Sequence, residues 1–142
     1  VSADRIDVRT LDELDAFLNV VGGFHDGIIK EVHWVNNDHI CEDLSMLPYQ
    51  RARVRMLVQR QRKNPSAVEL VFEDVWRMRL DTLSFIFDSD LAAEEPPKGF
   101  GADGLPLLVL KMESSEVVFA QMRWRDASEW MGTELRFAPA ME

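Results

Sequence analysis

From Arg51 to Met56 the chain alternates arginine with an apolar residue without a break, Arg51-Ala52-Arg53-Val54-Arg55-Met56. Successive side chains of a strand point to opposite faces, so this pattern fits an extended segment with one buried and one wet face. A turn signal, Asn64-Pro65-Ser66, follows, and then a β-branched run, Val68-Glu69-Leu70-Val71-Phe72. The spacing predicts a hairpin of residues 52–60 with 68–73. Apolar character resumes at Val75-Trp76 and Met78-Leu80 with its phase shifted. A β-bulge near Glu73-Asp74 accounts for the shift, because one inserted residue exchanges the inward and outward faces.

Helical spacing is strong in one place. Thr10-Leu11-Asp12-Glu13 has the form of a capping box, and Leu11, Leu14, Phe17, Leu18 and Val21 then make one apolar stripe. Asp12, Glu13 and Asp15 suit the positive end of the helix dipole. Gly22-Gly23 supplies a stop that tolerates left-handed backbone. The helix is predicted over 11–21.

The remaining segments read as strands and loops. Ile28 to Val35 is a strand with Asn36-Asn37-Asp38 turning behind it, and Leu83 to Phe87 is another. Residues 88–106, acidic and rich in Pro and Gly, read as one long loop. Leu107 to Met112 and Val117 to Trp124 form a second hairpin, and Leu135-Arg136-Phe137 a last short strand. Short turns favour antiparallel pairing, since parallel crossovers need a dozen or more residues. The expected fold is a single α+β domain over 1–142: a mainly antiparallel, strongly curved sheet or open barrel with one N-terminal amphipathic helix.

Charge narrows the partners. With 16 basic and 25 acidic residues the formal net charge is −9, which disfavours general binding to nucleic acid or to anionic membranes. No apolar run approaches the roughly 20 residues of a membrane-spanning helix, and the N-terminus shows no signal-peptide pattern. The single cysteine, Cys41, forms no intramolecular disulfide, which makes the cytoplasm the default expectation. Six of the basic residues, Arg51, Arg53, Arg55, Arg60, Arg62 and Lys63, fall within 51–63. On the bland reading, the strand arginines pair with Glu69 or Glu73 on the hairpin partner. On the sharper one, Arg51, Arg53 and Arg55 present guanidinium forks to an acidic protein or anionic ligand.

Other motifs carry little chemistry. Gly99-Phe100-Gly101-Ala102-Asp103-Gly104 has the letters of a dinucleotide fingerprint but lacks the preceding strand and following helix that its mechanism needs. His25 and His33, placed on one straight strand, would stand roughly 26 Å apart, too far to share an ion. His39 and Cys41 sit in a loop with no C-x-x-C or H-E-x-x-H pattern nearby, so neither metal nor cofactor is expected. Glu42-Asp43 and Glu94-Glu95 read as solvated charge.

Phe24-His25-Asp26, standing between the helix and the strand at Ile28, carries a family likeness together with Phe72-Glu73-Asp74-Val75. The chain resembles small bacterial proteins with an F-H-D segment ahead of their first long strand, some of them immunity-type proteins of toxin systems. That resemblance implies no catalytic residues and favours a non-enzymatic protein-interaction module. Its partner is expected to be an acidic protein or a second copy of the chain. The alternative is a small-molecule-binding or hydrolytic domain with His25 and Asp26 near its pocket. For the F-H-D segment itself the first expectation is structural: Phe24 packs under the helix end, Asp26 accepts backbone N–H groups, and His25 is held between them.

Overall fold

The structure, a computed structural model, describes residues 5–81, 92–94, 107–112 and 115–136. The predicted Leu83–Phe87 strand and the Gly99–Gly104 segment lie outside these residues. The described elements run β1 (Ile6–Val8), α1 (Leu11–Val20), a 3-10 turn (Gly22–Phe24), β2 (Ile28–Asn36), β3 (His39–Ile40) and β4 (Met46–Leu47). They continue with β5 (Ala52–Gln59), β6 (Ala67–Arg79), β7 (Ala92–Glu94), β8 (Leu108–Met112) and β9 (Ser115–Asp126).

Seven strands form one antiparallel sheet in the order β2-β5-β6-β9-β8-β7, with β1 also paired to β9. β9 is long enough to carry two neighbours on the side away from β6. Leu108–Met112 pairs with its first half and Ile6–Val8 with its second. Among the described residues the order does not return on itself, and the sheet is not closed into a barrel.

The β5–β6 hairpin forms as the alternation predicts, with Val54 opposite Phe72 and Val58 opposite Val68. β6 carries one residue more than β5 between that first pair and Ala52–Val75, and Asp74 there stands at φ 50°. This is the expected bulge. It lets Phe72 and Val75 both reach the core while Glu73 faces the other way.

Helix α1 starts where the capping box places it. The Glu13 amide donates to the Thr10 hydroxyl at 3.1 Å, and the Glu13 carboxylate accepts the Arg9 amide at 3.2 Å, one residue earlier than the usual box. Leu14, Phe17 and Leu18 bury against Val8, Val54, Met56, Leu70, Phe72, Phe119 and Met122 on one sheet face. Phe17 is the hinge of this packing, 5.6 Å from the Phe24 ring and 5.0 Å from Trp124.

Three expectations need correction, and one strand was not foreseen. Residues 37–50 are not a plain turn and loop: His39 and Ile40 pair with Leu47 and Met46 in a small hairpin of their own. Ala92–Glu94 is a strand on β8, so 88–106 is not one continuous loop. Leu135 and Arg136 are not in a strand; Arg136 instead donates its amide to Glu31 at 2.8 Å. Ile6–Val8 forms a strand that its three residues did not announce.

Candidate functional site

The sheet face opposite the helix is where Arg51, Arg53 and Arg55 lie, and they do not form one stripe. Arg55 Nη2 donates to Glu69 Oε2 at 3.0 Å, and Arg53 Nε to Glu73 Oε2 at 2.9 Å. Pairing with the hairpin partner, the bland reading, is therefore present. Arg51 lies before the strand, its guanidinium 3.8 Å above the Trp76 ring and its Nη1 donating to the Tyr49 carbonyl.

The arrangement is wider than the sequence suggested. Glu69 is fully buried and also takes Arg5 and Arg125, at 2.7 and 3.3 Å. Glu73 takes Arg123 at 2.8 Å as well as Arg53. Glu116 lies within ion-pair distance of Arg77, Arg79 and Lys111. Among the described residues, three carboxylates thus hold eight cations drawn from β5, β6, β8, β9 and the residue before β1. A signal for the missed members was present: Arg77-Met78-Arg79 and Arg123-Trp124-Arg125 repeat the arginine alternation of β5.

Burial by itself raises the pKa of Glu69. Hydrogen bonds from Arg5 and Arg55, with the charges of Arg5 and Arg125, outweigh it and hold the carboxyl below the ordinary glutamate range. Arg125 also covers the Trp130 ring at 4.4 Å, so this part of the face is sealed by stacked guanidinium and indole.

His25 and Asp26 lie in the turn ahead of β2, not on the strand. Gly22, Gly23, Phe24 and Asp26 all take positive φ, at 60°, 64°, 58° and 61°. Phe24 is fully buried under the helix end, as expected. Asp26 departs from expectation: its carboxylate meets His25 Nδ1 at 3.1 Å, and both side chains are about half exposed. His25 opens onto a cavity of about 240 Å³ that it shares with Gly22, Arg60 and Arg62.

Arg60 is 8% exposed. Its Nη1 donates to the Pro65 carbonyl at 2.6 Å, its Nε has no partner, and no carboxylate pairs with it among the described residues. Burial, and then the neighbouring charge of Arg62, holds its pKa below the usual arginine value. Nothing in the alternating pattern foretold this, because Arg60 follows the last residue of β5.

The β3–β4 hairpin exposes apolar surface. Leu44 and Tyr49 are 82% and 85% exposed, and Ile40, Met46 and Leu47 are exposed beside them. Leu44 and Tyr49 also stand at positive φ, 71° and 63°, so strained backbone presents both to solvent. Asp43 braces the hairpin turn by accepting from the Ser45 hydroxyl and amide, which lowers its pKa. Cys41 is a half-buried free thiol.

No group of three or more potential metal ligands occurs among the described residues. No helix among them is long and apolar enough to cross a membrane. No protein-family model, no curated protein and no solved structure matches the chain.

Proposed function

We propose that this domain is a non-enzymatic protein-interaction module, of the immunity-like or regulatory kind, whose basic sheet face takes an acidic protein partner. The observation that carries this reading is the clustering of eight cations around three carboxylates in a chain of net charge −9. Arg53 and Arg79 keep 55% and 65% of their side-chain surface exposed, so further N–H donors remain accessible to a partner's carboxylates.

The exposed hairpin supports the same reading. Arg51 joins the two surfaces through Tyr49 on one side and Trp76 on the other. Apolar and aromatic groups beside a charged field are the usual anatomy of a protein interface. Nucleic acid fits less well, because the carboxylates embedded in the face and the net negative charge oppose a phosphate backbone.

The test is binding of the whole chain to poly-L-glutamate across a salt series, with Arg53→Gln/Arg79→Gln alongside. Expected are binding at low salt, weakening as salt rises, and a clear loss in the double variant. No binding at low salt, equal binding by the variant, or a preference for duplex DNA over polyglutamate would each overturn the reading.

A further inference from the structure

We propose that the cavity bounded by Gly22, His25, Arg60 and Arg62 binds a small phosphate, either the free ion or the phosphate group of a small phosphorylated molecule. This site is separate from the basic sheet face, and the inference does not depend on that face's role.

The argument begins with the missing counter-charge. A buried guanidinium is costly unless it is paired and hydrogen-bonded. Elsewhere among the described residues the rule holds, since the fully buried carboxylate of Glu69 is surrounded by Arg5, Arg55 and Arg125. Arg60 breaks it: only its Nη1 has a side-chain hydrogen bond, to the Pro65 carbonyl. The charge nearest in effect is another cation, Arg62, whose repulsion adds to the cost of burial. Two guanidinium-bearing residues line a polar cavity that no carboxylate among the described residues lines, and a bound anion supplies what is missing.

The surrounding backbone sets Gly22 in contact with Arg60. Gly22 sits at φ 60°, and a Cβ there would lie 3.5 Å from Arg60 Nη2. Its left-handed conformation continues through Gly23 and Phe24, where only Phe24 stores backbone strain because glycine takes positive φ freely. Asp26 engages His25 Nδ1, and the ring has no other polar partner among the described residues.

Size and charge select the ligand. A cavity of about 240 Å³ is below the usual range of drug-sized pockets, roughly 300–1,000 Å³, and suits a small anion. Two guanidiniums match a dianionic tetrahedral group better than a single carboxylate, because phosphate offers more acceptor oxygens and more charge.

The experiment is calorimetric titration of the full chain with inorganic phosphate, phenyl phosphate and acetate at matched ionic strength, accompanied by amide NMR. Expected is one saturable phosphate site with a dissociation constant in the millimolar range or tighter. Its shifts should centre on residues 22–27 and 60–62. Arg62→Gln, at an exposed position, should weaken binding by at least about fivefold without lowering the unfolding midpoint. Arg60→Gln should abolish it, and because that variant can fail to fold, Arg62→Gln and the NMR map stand as independent readouts. Tighter binding of phenyl phosphate assigns a phosphorylated molecule, and equal binding assigns the free ion. No saturable binding, equal affinity for acetate, an unchanged Arg62→Gln, or shifts confined to the face around Glu69 and Glu73 would each overturn the proposal.

Discussion

Arg5 donates to a single oxygen of Glu69 twice, from Nε at 3.2 Å and from Nη2 at 2.7 Å, across 64 residues of sequence. Arg55 and Arg125 complete the shell around that buried carboxylate. Removing it leaves three guanidiniums facing one another. Glu69→Ala should therefore destabilise the protein by about 3–5 kcal/mol, the scale for breaking a buried ion pair from one side. Chemical denaturation measures it, and a loss under about 1 kcal/mol would show that water already screens the cluster.

The same carboxylate sets an acid limb. Its folded-state pKa lies below the ordinary value of 4.5, so its stabilisation is complete above that pH and is lost as pH falls through the lower folded value. Glu69→Gln should be less stable than wild type at neutral pH, with the difference shrinking below about pH 4.5. A constant difference from pH 7 to pH 3 would mean that Glu69 keeps no depressed pKa.

Arg53 and Arg55 are two residues apart on one strand face, yet they should respond differently. Arg55 bonds the fully buried Glu69, whereas Arg53 bonds the partly exposed Glu73. Hydrogen bonds to a buried charge contribute about 1.5–3 kcal/mol, exposed ion pairs about 0–1. Arg55→Gln should thus cost at least about 1 kcal/mol more than Arg53→Gln, which also makes Arg53 the sounder position for binding tests. Equal unfolding midpoints for the two variants would refute this ordering.

Leu44 and Tyr49 offer a converse test, because both are exposed and both occupy left-handed backbone. Asparagine tolerates that conformation better than Leu or Tyr. Leu44→Asn/Tyr49→Asn should leave stability within about 0.5 kcal/mol of wild type or slightly above it. If the hairpin joins two copies of the chain, sedimentation should show dimer in the wild type and monomer in the variant. A marked loss of stability would place these side chains in the fold and not at an interface.

What could be read in the sequence was what short-range periodicity controls. Helix α1, the β5–β6 hairpin and the bulge at Asp74 each follow from neighbours within a few residues. The third and fourth strands escaped notice because two-residue strands have no period to detect, and β1 is barely longer. The ion-pair clusters were half legible. Arg55 with Glu69 follows from hairpin register, but Arg5 and Arg125 lie 64 and 56 residues away in sequence, and no local pattern aligns them. Arg60 looked like one more member of a basic run. Only its burial without a carboxylate, a property of the folded chain, sets it apart from Arg62 and Lys63.

The turn ahead of β2 separates backbone strain from side-chain bonding. Asp26 stands at φ 61° and its side chain meets only His25 Nδ1 among its described polar contacts, at 3.1 Å. Alanine in left-handed backbone costs roughly 1–2 kcal/mol, while glycine pays no such steric penalty. Asp26→Ala should therefore lose about 1 kcal/mol, and Asp26→Gly should stay within about 0.5 kcal/mol of wild type. Were the His25 contact the main contribution, both substitutions would remove it and both would destabilise alike. Phe24 supplies the scale for the segment: it is fully buried against Phe17, and Phe24→Ala should cost about 3–5 kcal/mol. Equilibrium unfolding of the three variants decides the matter. Matching losses in Asp26→Ala and Asp26→Gly would locate the segment's role in the Asp26–His25 pair and not in the turn's backbone.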